Sequence, residues 1–388
     1  MHVVPCLGGN SGGPSRSVFA LVHGLRENGV DAEIVTQNYA NNPNIYEADW
    51  IKTLHVENVR TFEYNPSFRK YLVDEMIDSS CQIVHIHTIY SYPSHIATKL
   101  AMKKKLLYIV APRGSLYQSA IEISSKWKKR IFNMLILKRQ LNNASAVHVT
   151  CKEEMEAVRN LGITSPIAVI PNTLRLPEER PPIVRRKGKL RLTYLGRINP
   201  KKNIDGLLKA WHAAGMANRK DAELIVIGAA HLEREKVYLE RLRQLERDLS
   251  IENIVWTGPK DGKEKEHLLS SSTCLVLPSF SENFGMVVPE ALQYGVPVIA
   301  SKGTPWQILE EYRCGWWTDI DVNSLVACIR NLLNVTDDAL YQMGERAQNL
   351  VWENFSTSAI CNMQKELYEW IIEGGRKPDF VYLQSKVQ

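Results

Sequence analysis

Short apolar runs rich in β-branched residues alternate with amphipathic helical stretches along almost the whole chain, and this alternation limits the folds open to it. The runs Val3–Leu7, Ile83–His87, Leu106–Val110, Ala146–Thr150, Leu190–Leu195, Cys274–Leu277 and Val296–Ala300 are apolar on both faces. Strands of that kind are covered by helices on both sides. Ser15–Asn28, Ile204–Ala214, Leu232–Leu249 and Val287–Tyr294 supply the helical period between them. A βαβα order of this sort predicts an α/β chain with parallel sheets.

The alternation breaks once. Asn172–Lys189 (NTLRLPEERPPIVRRKGK) holds three prolines and many charges and shows no period, so 173–189 reads as a linker. It separates an N-terminal domain, 1–172, from a second, 190–354. Each is expected to hold five or six strands, and the two are expected to face each other across a central cleft. From about Leu325 onward the sequence reads as all helical, with the segment 355–388 packing back on the first domain.

Composition narrows the function classes. No apolar run approaches the roughly 20 residues of a membrane span. The start, MHVVPCL, enters a polar glycine loop without a basic leader, so no signal peptide is expected and the protein reads as cytoplasmic. Seven scattered cysteines contain no C-x-x-C pair, which weakens zinc and disulfide readings. The net charge of +6 is uneven: Lys99–Arg139 carries eleven Lys/Arg and one acid, Glu122. Such a basic face implies an anionic partner.

Three stretches carry chemistry. Gly8–Pro14 (GGNSGGP) joins the first strand to the first helix. Its glycines suit a backbone phosphate cradle, and equally a plain tight turn. Tyr194–Lys202 (YLGRINPKK) follows the first strand of the second half, and places Arg197 and Lys202 where open α/β sheets bind ligands. A guanidinium fork and a point charge together suit a diphosphate. Ser279–Glu290 (SFSENFGMVVPE) puts Glu282 in a loop, Glu290 in the following helix, and the amides of Asn283, Phe284 and Gly285 at the helix entry. A glycosidase carboxylate pair fits this spacing poorly, and the neighbouring cations favour a phosphorylated donor.

The E-x7-E pattern Glu282–Glu290, the G-R-x4-K partner at Arg197–Lys202 and the N-terminal GGP resemble glycosyltransferase family 4. The resemblance spans essentially the whole chain in the right order. GGPSRSV, APRGSL, GTPWQILE and CGWW resemble bacterial exopolysaccharide glycosyltransferases, including those of cyanobacterial heterocyst-envelope synthesis. What it implies is the GT-B fold of two Rossmann-like domains, a retaining mechanism and a nucleotide-sugar donor such as UDP-glucose. The acceptor implied is a polysaccharide or lipid-linked saccharide. Arg197 and Lys202 would hold the diphosphate, Glu282 the sugar hydroxyls and Glu290 the ribose. The amides from Asn283 through Phe284, Gly285 and Met286 to Val287 would bind sugar and phosphate. Gly12 and Gly13 would meet phosphate or acceptor, and the base would lie near Gly228, Pro259 and Lys260. Arg113 stands where family members often carry histidine; arginine cannot act as a base at neutral pH, so it would anchor sugar or phosphate.

His87 and Asn172 are candidates for acceptor or sugar contacts, while His85 serves equally as a structural histidine. Asp319 and Asp321 mimic a metal-binding D-x-D, but read as a loop and helix cap; no metal is expected. Lys126, Trp127, Lys128, Lys129 and Arg130 begin a basic, apolar-cored stretch suited to anionic lipid on the inner membrane face, or to ordinary packing. Two other readings stay open: a nucleotide-sugar epimerase of the same fold, and a non-enzymatic binder of nucleic acid or an anionic surface.

Overall fold

The computed structural model describes residues 1–9, 13–57, 61–78, 80–117, 136–184 and 188–384. They form two compact units: unit 1 is 1–175 with 356–388, and unit 2 is 176–355.

Unit 1 is built on an eight-stranded sheet. Its strands are β1 (His2–Cys6), β2 (Ile34–Tyr39), β3 (Ile51–Val56), β4 (Ile83–His87), β5 (Leu107–Ala111), β6 (Ala146–Val149) and β7 (Ile167–Val169), with β14 (Val381–Tyr382) at one edge. The spatial order is β14-β7-β6-β5-β4-β1-β2-β3. All neighbours are parallel except β14, which runs antiparallel to β7. Five-residue strands wholly buried on both faces, such as β1 and β4, explain why the order is parallel. Val3 and Val4 point to opposite faces and open two separate cores. The Val3 face is covered by α2 (Ser67–Asp78) and α3 (Tyr92–Lys104), the Val4 face by α1 (Gly13–Glu27) and the C-terminal helix, α13 (Thr357–Glu373). Helices α4 (Lys138–Asn142) and α5 (Lys152–Asn160) complete the unit.

Helix α13 approaches α1 closely because Gly24 has no side chain. A Cβ there would lie 2.2 Å from Thr357 Cγ2 and 2.8 Å from Cys361 Sγ. Ser356 caps α13, its Oγ accepting from Ala359 N at 3.2 Å.

Unit 2 carries a six-stranded, wholly parallel sheet: β8 (Leu190–Leu195), β9 (Ala222–Ile227), β10 (Ile254–Gly258), β11 (Cys274–Leu277), β12 (Val298–Ser301) and β13 (Gly315–Thr318), in the order β10-β9-β8-β11-β12-β13. Its helices are α6 (Ile204–Ala213), α7 (Glu233–Asp248), α8 (Gly262–Ser270), α9 (Val287–Leu292), α10 (Ile308–Glu311), α11 (Val322–Leu333) and α12 (Asp337–Asn354). Asp321 caps α11 through Ser324 N at 3.1 Å.

Two expectations need correction. The chain is not all helical after Leu325, since Val381–Tyr382 adds a strand. Unit 1 also exceeds five or six strands; β3 is a half-buried strand at the edge of the sheet and shows no doubly apolar run. The proline stretch is less free than a linker implies. Gln348 donates to Pro181 O at 2.7 Å and Arg180 to Asn349 Oδ1 at 2.6 Å, fastening it to α12.

Candidate functional site

In unit 2 the chain winds outward in one direction from β8 and in the other from β11, so these neighbours flank the topological switch point. Ligands of open α/β sheets bind outside the carboxyl ends of such strands. Both charged motifs lie there. At the end of β8, Gly196 N donates to Ile227 O at 3.0 Å, and the strand ends come so close that a Cβ on Gly228 would sit 1.9 Å from the Gly196 carbonyl oxygen. Tyr194 OH donates to Arg197 O at 2.8 Å, fixing the backbone while the Arg197 side chain stays exposed. Asn199 accepts from Lys201 N at 3.0 Å and donates to Glu235 at 2.9 Å, which shapes the turn that ends in Lys202.

The loop after β11 docks on that turn: Phe280 N donates to Lys201 O at 2.8 Å. Glu282 is ion-paired with Lys202, accepts from Ser279 Oγ at 2.7 Å, and donates its own N–H to Gly303 O at 2.9 Å. The GTPW segment braces the loop. A Cβ on Gly303 would lie 2.3 Å from Phe280 O, and Trp306 Nε1 donates to Phe284 O at 2.5 Å. Gly285 takes φ +79°, a left-handed turn into α9 that a side chain would strain. Glu290, in the first turn of α9, lies 3.4 Å from Lys265 Nζ.

The fold therefore brings Arg197, Lys202, Gly228, Glu282, Asn283, Phe284, Gly285, Met286, Val287 and Glu290 to one end of one sheet, with Lys202 and Glu282 in contact. Pro259 and Lys260 follow β10, two strands from β8, where Lys260 pairs with Glu264 at 3.1 Å. Ser279 and Lys265 were not singled out from sequence as site residues, and Gly303 and Trp306 stood there only within the GTPWQILE stretch, with no role assigned.

Unit 1 repeats the topology, with its switch point between β1 and β4. Gly13 opens α1 beside it, and Gly12 lies outside the described residues. Here the chemistry is buried. His2, His85 and His87 are 0–2% exposed and His148 3%. Arg113 NH2 donates to His87 Nδ1 at 3.1 Å, and its NH1 donates to Asn172 Oδ1. His87 Nε2 lies 3.0 Å from His2 Nδ1, and Tyr368 OH lies 3.2 Å from His2 Nε2 and 2.8 Å from His85 Nδ1. His148 Nδ1 lies 3.2 Å from His85 Nε2, and its Nε2 is 2.9 Å from Ile170 O.

Burial, then the nearby positive charges, holds all four rings well below the ordinary histidine range, His148 down to about 3. Burial lowers Arg113 to about 10, still cationic at neutral pH. His2, His148 and Tyr368 carried no local signal in the sequence. Among the described residues, His2, His85 and His87 are close enough to share a metal, their ligand nitrogens lying within 4.8 Å of one another. Every one of those nitrogens is already engaged in a hydrogen bond.

Lys126, Trp127, Lys128, Lys129 and Arg130 lie outside the described residues. No described helix is long and apolar enough to cross a membrane.

Comparison with known proteins places families on these units. A family model described as Glycosyl transferase 4-like domain matches residues 12–173, and one described as Glycosyl transferases group 1 matches 177–350. The chain is 26% identical over 299 residues to an uncharacterized 41.2 kDa protein in the cps region of Klebsiella pneumoniae, covering 73% of this chain and 77% of that one. It is 29% identical over 173 residues to Escherichia coli O-antigen chain mannosyltransferase B, covering 43% of this chain and 44% of that protein. Among solved structures it resembles sucrose-phosphate synthase from Thermosynechococcus elongatus, with a TM-score of 0.77 at 20% identity over 96% and 99% of the two chains. Anabaena Alr3699/HepE, solved in complex with UDP and glucose, gives a TM-score of 0.66 at 15% identity over 94% and 97%. At these identities the structural likeness shows the fold.

Proposed function

We propose that this chain, a glycosyltransferase of the GT-B fold that joins a glycosyl transferase 4-like domain to a glycosyl transferases group 1 domain, moves a hexose from a UDP-sugar to a polysaccharide or lipid-linked saccharide, with retention at the anomeric carbon. Glucose is the hexose this reading favours, by analogy with the UDP and glucose bound to Anabaena HepE. The observation that carries it is the meeting of Lys202 with Glu282 at the unit 2 switch point, beside Arg197 and with Glu290 on the adjoining helix.

Arg197 and Lys202 would hold the donor diphosphate and stabilise charge as it departs. Glu282 would take the hexose hydroxyls and Glu290 the ribose. The bond between the anomeric carbon and the diphosphate oxygen breaks, a bond to the acceptor hydroxyl forms on the same face, and the acceptor proton ends on the departing phosphate. No side-chain base and no metal is needed. Arg113 would anchor sugar or phosphate from unit 1, and the basic stretch around Lys126–Arg130 would rest on anionic lipid.

Calorimetric titration with UDP, GDP and ADP tests the donor site. We expect micromolar binding of UDP that Lys202→Ala and Glu290→Ala both abolish; no binding by any nucleotide overturns the assignment. Turnover of UDP-sugar without acceptor, giving an epimer, would replace the transferase reading with an epimerase.

A further inference from the structure

The buried histidines of unit 1 form one continuous hydrogen-bonded path, and its two ends fix the position of every proton along it. Arginine can only donate. Arg113 NH2 therefore donates its N–H to His87 Nδ1, so the neutral His87 ring carries its own proton on Nε2 and donates to His2 Nδ1. His2 then donates from Nε2 to Tyr368 OH, and the hydroxyl donates onward to His85 Nδ1. His85 Nε2 donates to His148 Nδ1, and His148 Nε2 donates to Ile170 O.

The assignment can also be made from the other end. The Ile170 carbonyl can only accept, so His148 must carry its proton on Nε2. Reversing each step leads back to His87 with a bare Nδ1, which is what the Arg113 donor requires. Six consecutive bonds close without a conflict, with all four rings neutral and all four protonated on Nε2. An imidazolium at His87 or His2 would set donor against donor on the Arg113 side of the hydroxyl.

The path cannot carry a proton, because it starts at a permanent cation and ends at a backbone carbonyl. What it can do is hold Arg113. The guanidinium meets two neutral acceptors, His87 Nδ1 and Asn172 Oδ1, and among the described residues no carboxylate is ion-paired with it. Glu154, whose charge acts on Arg113, has its oxygens committed elsewhere: they accept from Gly114 N at 2.5 Å, Thr150 N at 2.8 Å and Thr150 Oγ1 at 3.0 Å. Arg113 Nε is buried without a partner among the described residues, and the residue sits at φ +54°, a conformation that persists only where the surroundings impose it. The result is a fixed cation held by neutral acceptors, with the Glu154 carboxylate acting on it through space and not through an ion pair.

We propose that Tyr368 and the four histidines are positioning residues that hold the Arg113 guanidinium where a phosphoryl group of the substrate meets it. The identity of that anion rests on the transferase reading above; the hydrogen-bonded path does not.

The test has two parts. Nitrogen NMR of the full chain labelled in histidine is expected to show His2, His85, His87 and His148 bare at Nδ1 and protonated at Nε2 at pH 7. A single ring protonated on Nδ1, or charged, overturns the path. This readout uses the unaltered protein, so it holds even if a variant fails to fold. In the second part, Tyr368→Phe keeps the ring and removes the hydroxyl. We expect kcat/KM to fall about tenfold, the effect of a lost buried hydrogen bond, while His87 and His2 keep the tautomer set by Arg113 and His148 and His85 the one set by the Ile170 carbonyl. A rise in the KM for UDP-sugar assigns the phosphate to the donor, and a rise for a phosphate-bearing acceptor assigns it to the acceptor. Unchanged kcat and both KM values overturn the positioning role. The expected tautomers in a chain that turns over no nucleotide sugar would leave the path standing and remove the transferase reading.

Discussion

At the switch point of unit 2, two lysines face two glutamates, Lys202 with Glu282 and Lys265 with Glu290, each side chain between 13 and 21% exposed. At the switch point of unit 1, four rings at 0–3% exposure carry no charge, and a lone guanidinium is held by neutral acceptors. The sheets have the same order on either side of the central strands, yet the polar groups obey opposite rules. Ion pairs that keep some water can separate and re-pair with a ligand, because partial solvation keeps the exchange inexpensive. Buried polar groups cannot exchange in this way, because each unmatched donor or acceptor carries a large cost. The site of unit 2 is built to trade charges and that of unit 1 to hold a geometry.

Acid separates the two most sharply. The buried rings bind protons less readily than unfolded histidines, whose range is about 6.5. As pH falls below about 6.5 the unfolded state takes up protons first, so unit 1 keeps this stability above that value and loses it progressively toward His148's value of about 3. Glu63, raised to about 7 by burial, and Glu154, raised for the same reason, act in the opposite sense and offset part of the loss. Four rings against two carboxyls leave a net loss of stability as pH falls from about 6.5 to about 5. Burial would raise Glu223 in unit 2, but Lys189 and Arg191 outweigh it and hold the carboxyl below its usual range, so its contribution survives to lower pH. Hydrogen exchange at pH 7 and pH 5 should therefore show β1, β4 and β6 losing protection before β8, β9 and β11. Equal loss in both sheets would erase the contrast.

Removing a charge tests the trading site. Lys202→Ala should lower kcat/KM for UDP-sugar about a hundredfold, the usual scale for a preorganised cation at a departing charge. It also leaves Glu282 beside Ser279 without its cation. That loss should exceed the tenfold expected for Tyr368→Phe. The reverse order would mean that the buried path, and not the ion pairs, dominates turnover.

The strands buried on both faces could be read from sequence because a parallel strand needs apolar residues at every position. β3 (IKTLHV) is half-buried and mixes polar with apolar residues, and β14 contributes two residues to an edge, so neither shows such a run. The donor-side motifs were legible for a similar reason: Arg197–Lys202 and Glu282–Glu290 are local, and each directly follows a strand. The histidine path was not. His2 and Tyr368 are 366 positions apart, and only the packing of α13 on the Val4 face unites them. H-x-H at 85–87 shows two polar residues on a buried strand without naming their partners.

Glycine packing offers a smaller contrast. A Cβ on Gly228 would strike the Gly196 carbonyl at 1.9 Å, and backbone cannot retreat cheaply from the middle of a sheet. A Cβ on Gly8, after β1, would meet the end of the Asn42 side chain at 2.4 Å, which can swing away. Gly228→Ala should cost about 2 kcal/mol and Gly8→Ala well under half of that, measured as the shift in urea midpoint of each unit. Equal costs would show that the loop after β1 is as rigid as the end of β9.

The finest test asks how freely the second ion pair exchanges. Lys265 lies 3.4 Å from Glu290 on a partly buried face that still meets water, and such a pair is worth about 0.2–1 kcal/mol. If Glu290 takes the ribose, Lys265→Ala frees a carboxylate that the nucleotide would otherwise have to win from its lysine. The loss of the lysine's charge near the diphosphate works against that gain. UDP affinity should then move by no more than about fivefold in either direction, while Glu290→Ala removes it. A large loss with Lys265→Ala would make this lysine a direct phosphate ligand, and the unit 2 site would hold three cations for one diphosphate instead of two.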